Sequence, residues 1–132
     1  MDAATARRLA KIAPLQTLTL THYGRKSGKP YDVIIWFVVE GNRMFLATSN
    51  KNRNWVRNVK VKPNVVIKAG SETFDATVSE ITDNALRDHV RDLVQAKYWY
   101  ALPFIVFGRL LQNLGVMKDN TGTFEVHPAS QG

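Results

Sequence analysis

THYGRKSGKPYDVIIWFVV, residues 21–39, sets Arg25, Lys26, Lys29 and two glycines between two β-rich runs. A hairpin turn needs glycine and one or two polar residues, and three cations within five positions repel one another unless an anion sits among them. The stretch therefore reads both as a strand connection and as a ligand site. Upstream, residues 16–22 (QTLTLTH) alternate like a half-buried strand. Downstream, residues 31–40 form a continuous β-branched and aromatic run, expected to be buried on both faces, and EGNR turns the chain into a third strand over residues 44–49.

Outward from this hairpin pair, residues 4–12 read as a short helix. Residues 50–62 read as a short basic helix, with Trp55 and Val59 at helical spacing, Asn54 as its N-cap and Pro63 as its stop. Residues 65–69 and 73–81 form a strand pair about the turn GSE, and Thr82 or Asp83 caps a helix through Lys97 with Leu86, Val90, Leu93 and Val94 as its apolar stripe. PFIVFGRLLQNLG, residues 103–115, fits either strand then helix or one kinked helix, and TFEVHP, residues 123–128, alternates as a last strand. A meander of paired strands with few helical crossovers predicts an α+β domain built on a small closed or partly closed antiparallel barrel. One domain over residues 1–132 is expected, with an N-terminal helix or arm at 1–13 and a variable segment at 98–132.

At 132 residues and 45% hydrophobic, the chain is long enough for one self-sufficient core. It has no cysteine, which excludes disulfides, zinc-thiolate sites, iron–sulfur clusters and thiol nucleophiles. The N-terminus is too poor in apolar residues for a signal peptide, and no run approaches the roughly 20 residues that span a bilayer. A soluble, cytoplasmic protein is expected. The apolar stretch 98–118, broken by Pro103, Gly108 and Arg109, is a candidate for peripheral membrane contact.

Net charge is +7, unevenly placed. Residues 1–71 carry thirteen Lys and Arg against three acids, and residues 72–132 carry five against eight. The cationic first half implies an anionic partner. GRKSGKP lacks the spacing and the following helix of a P-loop, so ATP hydrolysis is not supported. What the turn can do is hold a phosphate or carboxylate with Arg25, Lys26, Ser27 and glycine-turn N–H groups, against the plainer alternative of a solvated hairpin. A second constellation, ATSNKNRNWVRNVKVKPNV, residues 47–65, adds Asn54, Trp55, Arg57 and Asn58 at a helix start beside Lys51 and Arg53. Trp55 suits a core anchor and, on its other face, an apolar wall. His22, His89 and His127 are isolated, which argues against a metal site; His22 borders the cationic turn and could touch a bound phosphate, but a solvent position at the strand end is expected for it.

Residues 18–69, with THYGRKSGKPY, EGNRMFLATS and NRNWVRNVKVKPNV in order, resemble the deazaflavin-dependent nitroreductase family, whose pattern reads TTxGRKSGxPR, DGxxLYLVAS and NPxWYxNLxANPxV. The chain departs from it at Asp32, near the usual second Arg of the turn, in KNRNW, which lacks the Pro, and at Val56 in place of Tyr. The resemblance implies a split β-barrel of the FMN-binding type and coenzyme F420, a hydride carrier with a phosphate and an oligoglutamate tail. It would place Arg25, Lys26, Ser27, Gly28 and Lys29 on the phosphate and tail, and Ile35, Trp36, Phe37, Ala47, Thr48, Ser49, Asn54, Trp55, Arg57 and Asn58 around the rest of the cofactor. Tyr98, Tyr100 and Ser49 would face the acceptor as catalytic residues, a Tyr hydroxyl holding or protonating a reduced oxygen. The competing role for the Tyr98–Tyr100 aromatics is to seal the barrel mouth or a homodimer interface.

The implied activity is hydride transfer from reduced F420 to a lipophilic acceptor such as a quinone or nitroaromatic. The alternatives are an FMN oxidoreductase of the same fold, a non-catalytic carrier of lipophilic ligands, and a nucleic-acid binder. The last is disfavoured because residues 31–39 are too apolar for an exposed strand with stacking platforms.

Overall fold

The computed structural model describes residues 3–48, 53–98 and 122–129. Among them are three helices, α1 (Ala3–Ile12), α2 (Asn54–Val61) and α3 (Asn84–Lys97), and six strands, β1 (Thr17–Tyr23), β2 (Pro30–Glu40), β3 (Arg43–Thr48), β4 (Asn64–Ala69), β5 (Glu72–Glu80) and β6 (Gly122–Pro128). The strands close into an all-antiparallel barrel in the order β1-β2-β3-β6-β5-β4. Each expected strand is present to within a residue or two, because period-2 alternation and the turn glycines act locally. Gly41 and Gly70 take the positive φ that the β2–β3 and β4–β5 hairpins require.

The barrel interior is filled by alternate residues of every strand: Leu18 and Leu20, Ile35 and Phe37, Met44 and Leu46, Val65 and Ile67, Phe74, Ala76 and Val78, and Phe124 and Val126. Leu9 and Ile12 of α1 close over it, as do Trp55, Val56 and Val59 of α2. A second cluster lies outside the barrel, where Val90 and Tyr98 cover Val38 and Phe45, with Leu86, Leu93 and Val94 packed against them. The apolar stripe of α3 is spent there.

Two expectations need correction. Strand β2 is not buried on both faces: Ile34 is 71% exposed and Tyr31 48%, while Ile35 and Phe37 are buried. A closed barrel has one inside, and on the outer face of β2 the α3 cluster covers Val38, with Tyr98 stacked on Trp36, and leaves Ile34 open. The N-cap of α2 is Arg53 and not Asn54, and it makes no side-chain cap bond. Asp83 does cap α3, its carboxylate accepting from the Leu86 N–H at 2.8 Å.

At the end of the β1–β2 ladder, whose last pair is Thr17 with Trp36, the phenol of Tyr98 takes over the main-chain groups. Its hydroxyl donates to the Gln16 carbonyl, lies 3.1 Å from the Phe37 carbonyl and accepts from the Phe37 N–H at 3.3 Å. Lys97 Nζ donates to the same Phe37 carbonyl at 2.8 Å and stands 3.8 Å from the centroid of the Phe37 ring. Burial brings the Lys97 ammonium down to about 8 from 10.5. Between those two values the unfolded chain holds the proton that the fold has released, so stability rises with pH across that window. Chemical denaturation of the wild type against Lys97→Met from pH 7 to 10.5 should show this rise in the wild type and a flatter profile in the variant.

Candidate functional site

Strand β1 delivers the site its first group. Residues 18, 20 and 22 share one face, so His22 follows Leu18 and Leu20 inward and is 5% exposed, contrary to the solvent position expected for it. Its ring stacks on Tyr31 at 5.8 Å between centroids. The following turn closes with Gly24 N–H to the Lys29 carbonyl at 2.9 Å and Gly28 N–H to the Gly24 carbonyl at 2.8 Å. Gly28 has φ +73°, which only glycine adopts without strain, and a Cβ on Gly24 would lie 2.5 Å from Ser27 Oγ, so a side chain there would require Ser27 to turn away.

Helix α2 meets this turn through Asn58, 4% exposed and 33 residues away from Arg25 in sequence. The Asn58 Oδ1 accepts from the Arg25 main-chain N–H at 3.1 Å and from its guanidinium Nη1 at 2.9 Å, while Nδ2 lies 3.0 Å from His22 Nδ1. Beside this network opens a cleft of about 620 Å³, lined by the turn (Gly24, Arg25, Lys26, Ser27), by His22, Tyr31, Asp32 and Val33, and by Arg53, Asn54, Trp55 and Asn58. Trp55 packs against Phe124 in the core, and its buried indole Nε1 has no hydrogen-bond partner among the described residues. Three cations therefore face one space walled by an indole and a phenol. The one carboxylate there, Asp32, accepts from Thr21 Oγ1 at 2.6 Å.

Burial lowers the His22 pKa from 6.5, with Asp32 pulling the other way. The stability that His22 contributes is in place above pH 6.5 and is lost as pH falls through its lower folded value, because the unfolded chain takes up the proton first.

The structure brings Arg25, Lys26, Ser27, Asn54, Trp55 and Asn58 together. Gly28 and Lys29 belong to the same turn but do not line the cleft, and Arg57 points away, exposed on α2. Ile35 and Phe37 are barrel core, since alternation turns their side chains inward. Trp36 lies on the outer face, stacked on Tyr98 at 4.2 Å and opposite Ala47, with Ala47 and Thr48 half-buried on β3. Tyr98 is fully buried, with its hydroxyl occupied by main-chain groups. Ser49 and Tyr100 lie outside the described residues. Tyr31, Asp32 and Val33 complete the cleft without having been singled out as site residues, and so do Arg53 and His22, which the sequence reading placed only beside the site. For His22 the signal was available in its parity with Leu18 and Leu20.

Among the described residues no His, Cys, Asp and Glu cluster could hold a metal ion, and no helix is long and apolar enough to cross a membrane. His89 pairs with Glu40 at 2.8 Å and His127 with Ser79 at 2.9 Å.

The family model described as F420H(2)-dependent quinone reductase matches residues 1–102. Among solved structures, an F420-H2 dependent reductase is 23% identical, with a TM-score of 0.63 over 86% of this chain and 95% of its own. A pyridoxamine 5'-phosphate oxidase-like protein from Listeria innocua is 12% identical, with a TM-score of 0.65 over 96% and 94% of the two chains. A conserved hypothetical protein from Mycobacterium tuberculosis is 16% identical, with a TM-score of 0.68 over 98% and 82%. These structures share the split-barrel fold.

Proposed function

The chain belongs to the F420H(2)-dependent quinone reductase family, and from that premise we propose that it passes hydride from reduced F420 to a lipophilic acceptor, a quinone or nitroaromatic, held at the cleft between the cationic hairpin and α2. The carrying observation is that Arg25 and Lys26 of the hairpin and Arg53 of α2, far apart in sequence, line one cleft. When bound, F420 supplies a two-electron reductant as a hydride donor.

The residues present suit such a guest. Arg25, Lys26 and Ser27 offer cationic and hydroxyl donors to a phosphodiester, and the glycine turn lets main-chain N–H groups approach. Arg53 extends the cationic lining toward the carboxylates of the tail. The unpartnered Trp55 Nε1 is a buried donor in the same wall. Tyr31 and Val33 give the cleft an apolar side on which a flat ring can rest, and water is excluded where Trp55 and His22 are buried. Tyr98 enters this reading as the support beneath Trp36, its hydroxyl being engaged elsewhere. Ser49 and Tyr100 remain proposed contacts of the acceptor.

Titration with reduced F420, oxidised F420 and FMN tests the reading. Micromolar or tighter binding of F420 is expected, weakened about tenfold or more by Arg25→Ala or Lys26→Ala as a charge-assisted contact is lost. Tighter binding of FMN than of F420, or no binding of either, would remove the proposal. Turnover with menadione and a nitroaromatic then identifies the acceptor.

A further inference from the structure

We propose that His22 is a positioning residue: its unprotonated Nδ1 accepts from the Asn58 amide and thereby locks that amide with its oxygen toward Arg25, holding the hairpin cation in place for the anionic guest. The inference rests on the F420 reading above for the identity of the guest, but not for the state of the ring.

The chemistry of the three groups leaves one arrangement. Arg25 can only donate, through its main-chain N–H and its guanidinium, so Asn58 must turn Oδ1 to it at 3.1 and 2.9 Å. That places the Asn58 NH₂, which also only donates, 3.0 Å from His22 Nδ1. Nδ1 must then be an acceptor, and the ring is neutral with its hydrogen on Nε2. A proton on Nδ1 would set two donors face to face. The amide would then have to leave the ring or flip, and a flip sets NH₂ against both Arg25 donors. His22 and Asn58 are 5% and 4% exposed, so water is poorly placed to repair the mismatch.

Among the described residues, the charged groups that share the cleft with the ring are Asp32 on β2, Arg25 and Lys26 on the turn and Arg53 at the N-cap of α2, with Tyr31 stacked on the ring. Burial acts in the same direction as the network, favouring the neutral ring. Simple electrostatics and the positioning role predict opposite signs on acidification. An added cation in the cleft would tighten an anionic guest, whereas loss of the Asn58 lock frees Arg25 and weakens it.

The test compares wild type, His22→Leu and His22→Asn, whose carbonyl oxygen can take the place of Nδ1 as acceptor. With reduced F420 as probe at pH 8, His22→Leu should raise Kd about tenfold and His22→Asn should stay within about twofold. On acidification from pH 8 to the pH at which the ring shifts show His22 taking up a proton, the wild type should weaken while His22→Asn stays flat. In the ligand-free wild type, ¹⁵N shifts of the ring should show Nδ1 unprotonated at pH 8. A protonated Nδ1 at pH 8, equal Kd values for His22→Leu and wild type, or unchanged or tighter wild-type binding once the ring shifts show His22 protonated would each overturn the proposal. If wild type binds no F420 at all, the functional reading fails instead, and the ring shifts still decide the state of His22.

Discussion

Asn58→Leu is expected to weaken F420 binding by about a hundredfold and to destabilise the fold by about 2–3 kcal/mol. The substitution removes the acceptor for two Arg25 donors and the donor to His22 Nδ1 in a place that is 4% exposed. Buried donors left without partners cost more than the net worth of the bonds they made, so the fold suffers along with the site. Asn58→Asp separates the two effects. Its carboxylate is nearly isosteric and accepts from Arg25 more strongly but no longer donates to His22 Nδ1, so the ring must carry its hydrogen on Nδ1 to pair with it; the melting temperature should fall less than in Asn58→Leu, while the added negative charge offsets the guanidinium that the guest needs. Calorimetric titration beside thermal unfolding reads both quantities. An Asn58→Leu protein that binds F420 as tightly as wild type would show that the cleft is not where the cofactor sits.

Tyr98→Ala should cost about 3–5 kcal/mol of stability, a large share of the roughly 5–15 kcal/mol that holds a domain of this size. Tyr98 is fully buried in the cluster beneath α3, stacks on Trp36 at 4.2 Å and joins the ends of β1 and β2 through its hydroxyl. Tyr98→Phe keeps the ring and loses only the bridge to Gln16 and Phe37, and about 1–3 kcal/mol is expected. Urea unfolding of the three proteins gives the two numbers. If Tyr98→Phe unfolds like wild type yet loses turnover at unchanged F420 affinity, the phenol is a proton donor to the acceptor and the structural assignment is wrong.

The strands were legible in the sequence because each carries its own alternation and each hairpin its own glycine. The Gly28 turn, with Arg25, Lys26 and Ser27, marked a candidate anion site through charge crowding alone. The expected burial of β2 on both faces failed at Ile34 because an apolar run does not say which of its faces a distant helix will cover. The N-cap of α2 is Arg53, extended at φ −62° and ψ 148° with no side-chain cap bond, so the residue preference that favoured Asn54 did not decide it. Ile35 and Phe37 were expected near the cofactor, but strand parity sends both into the core.

By itself the sequence determined a basic first half, an antiparallel all-β meander with helices, and a hairpin that concentrates cations. These follow from composition, period and turn chemistry, all of which act over a few residues. Only the tertiary structure decided that α2 would dock beside that hairpin, that Asn58 would bridge Arg25 and His22 across more than thirty residues, and that α3 would cover Val38 while leaving Ile34 open. Barrel closure fixes these relations. It joins β1 to β4 and β3 to β6, and no local pattern in the chain carries that pairing.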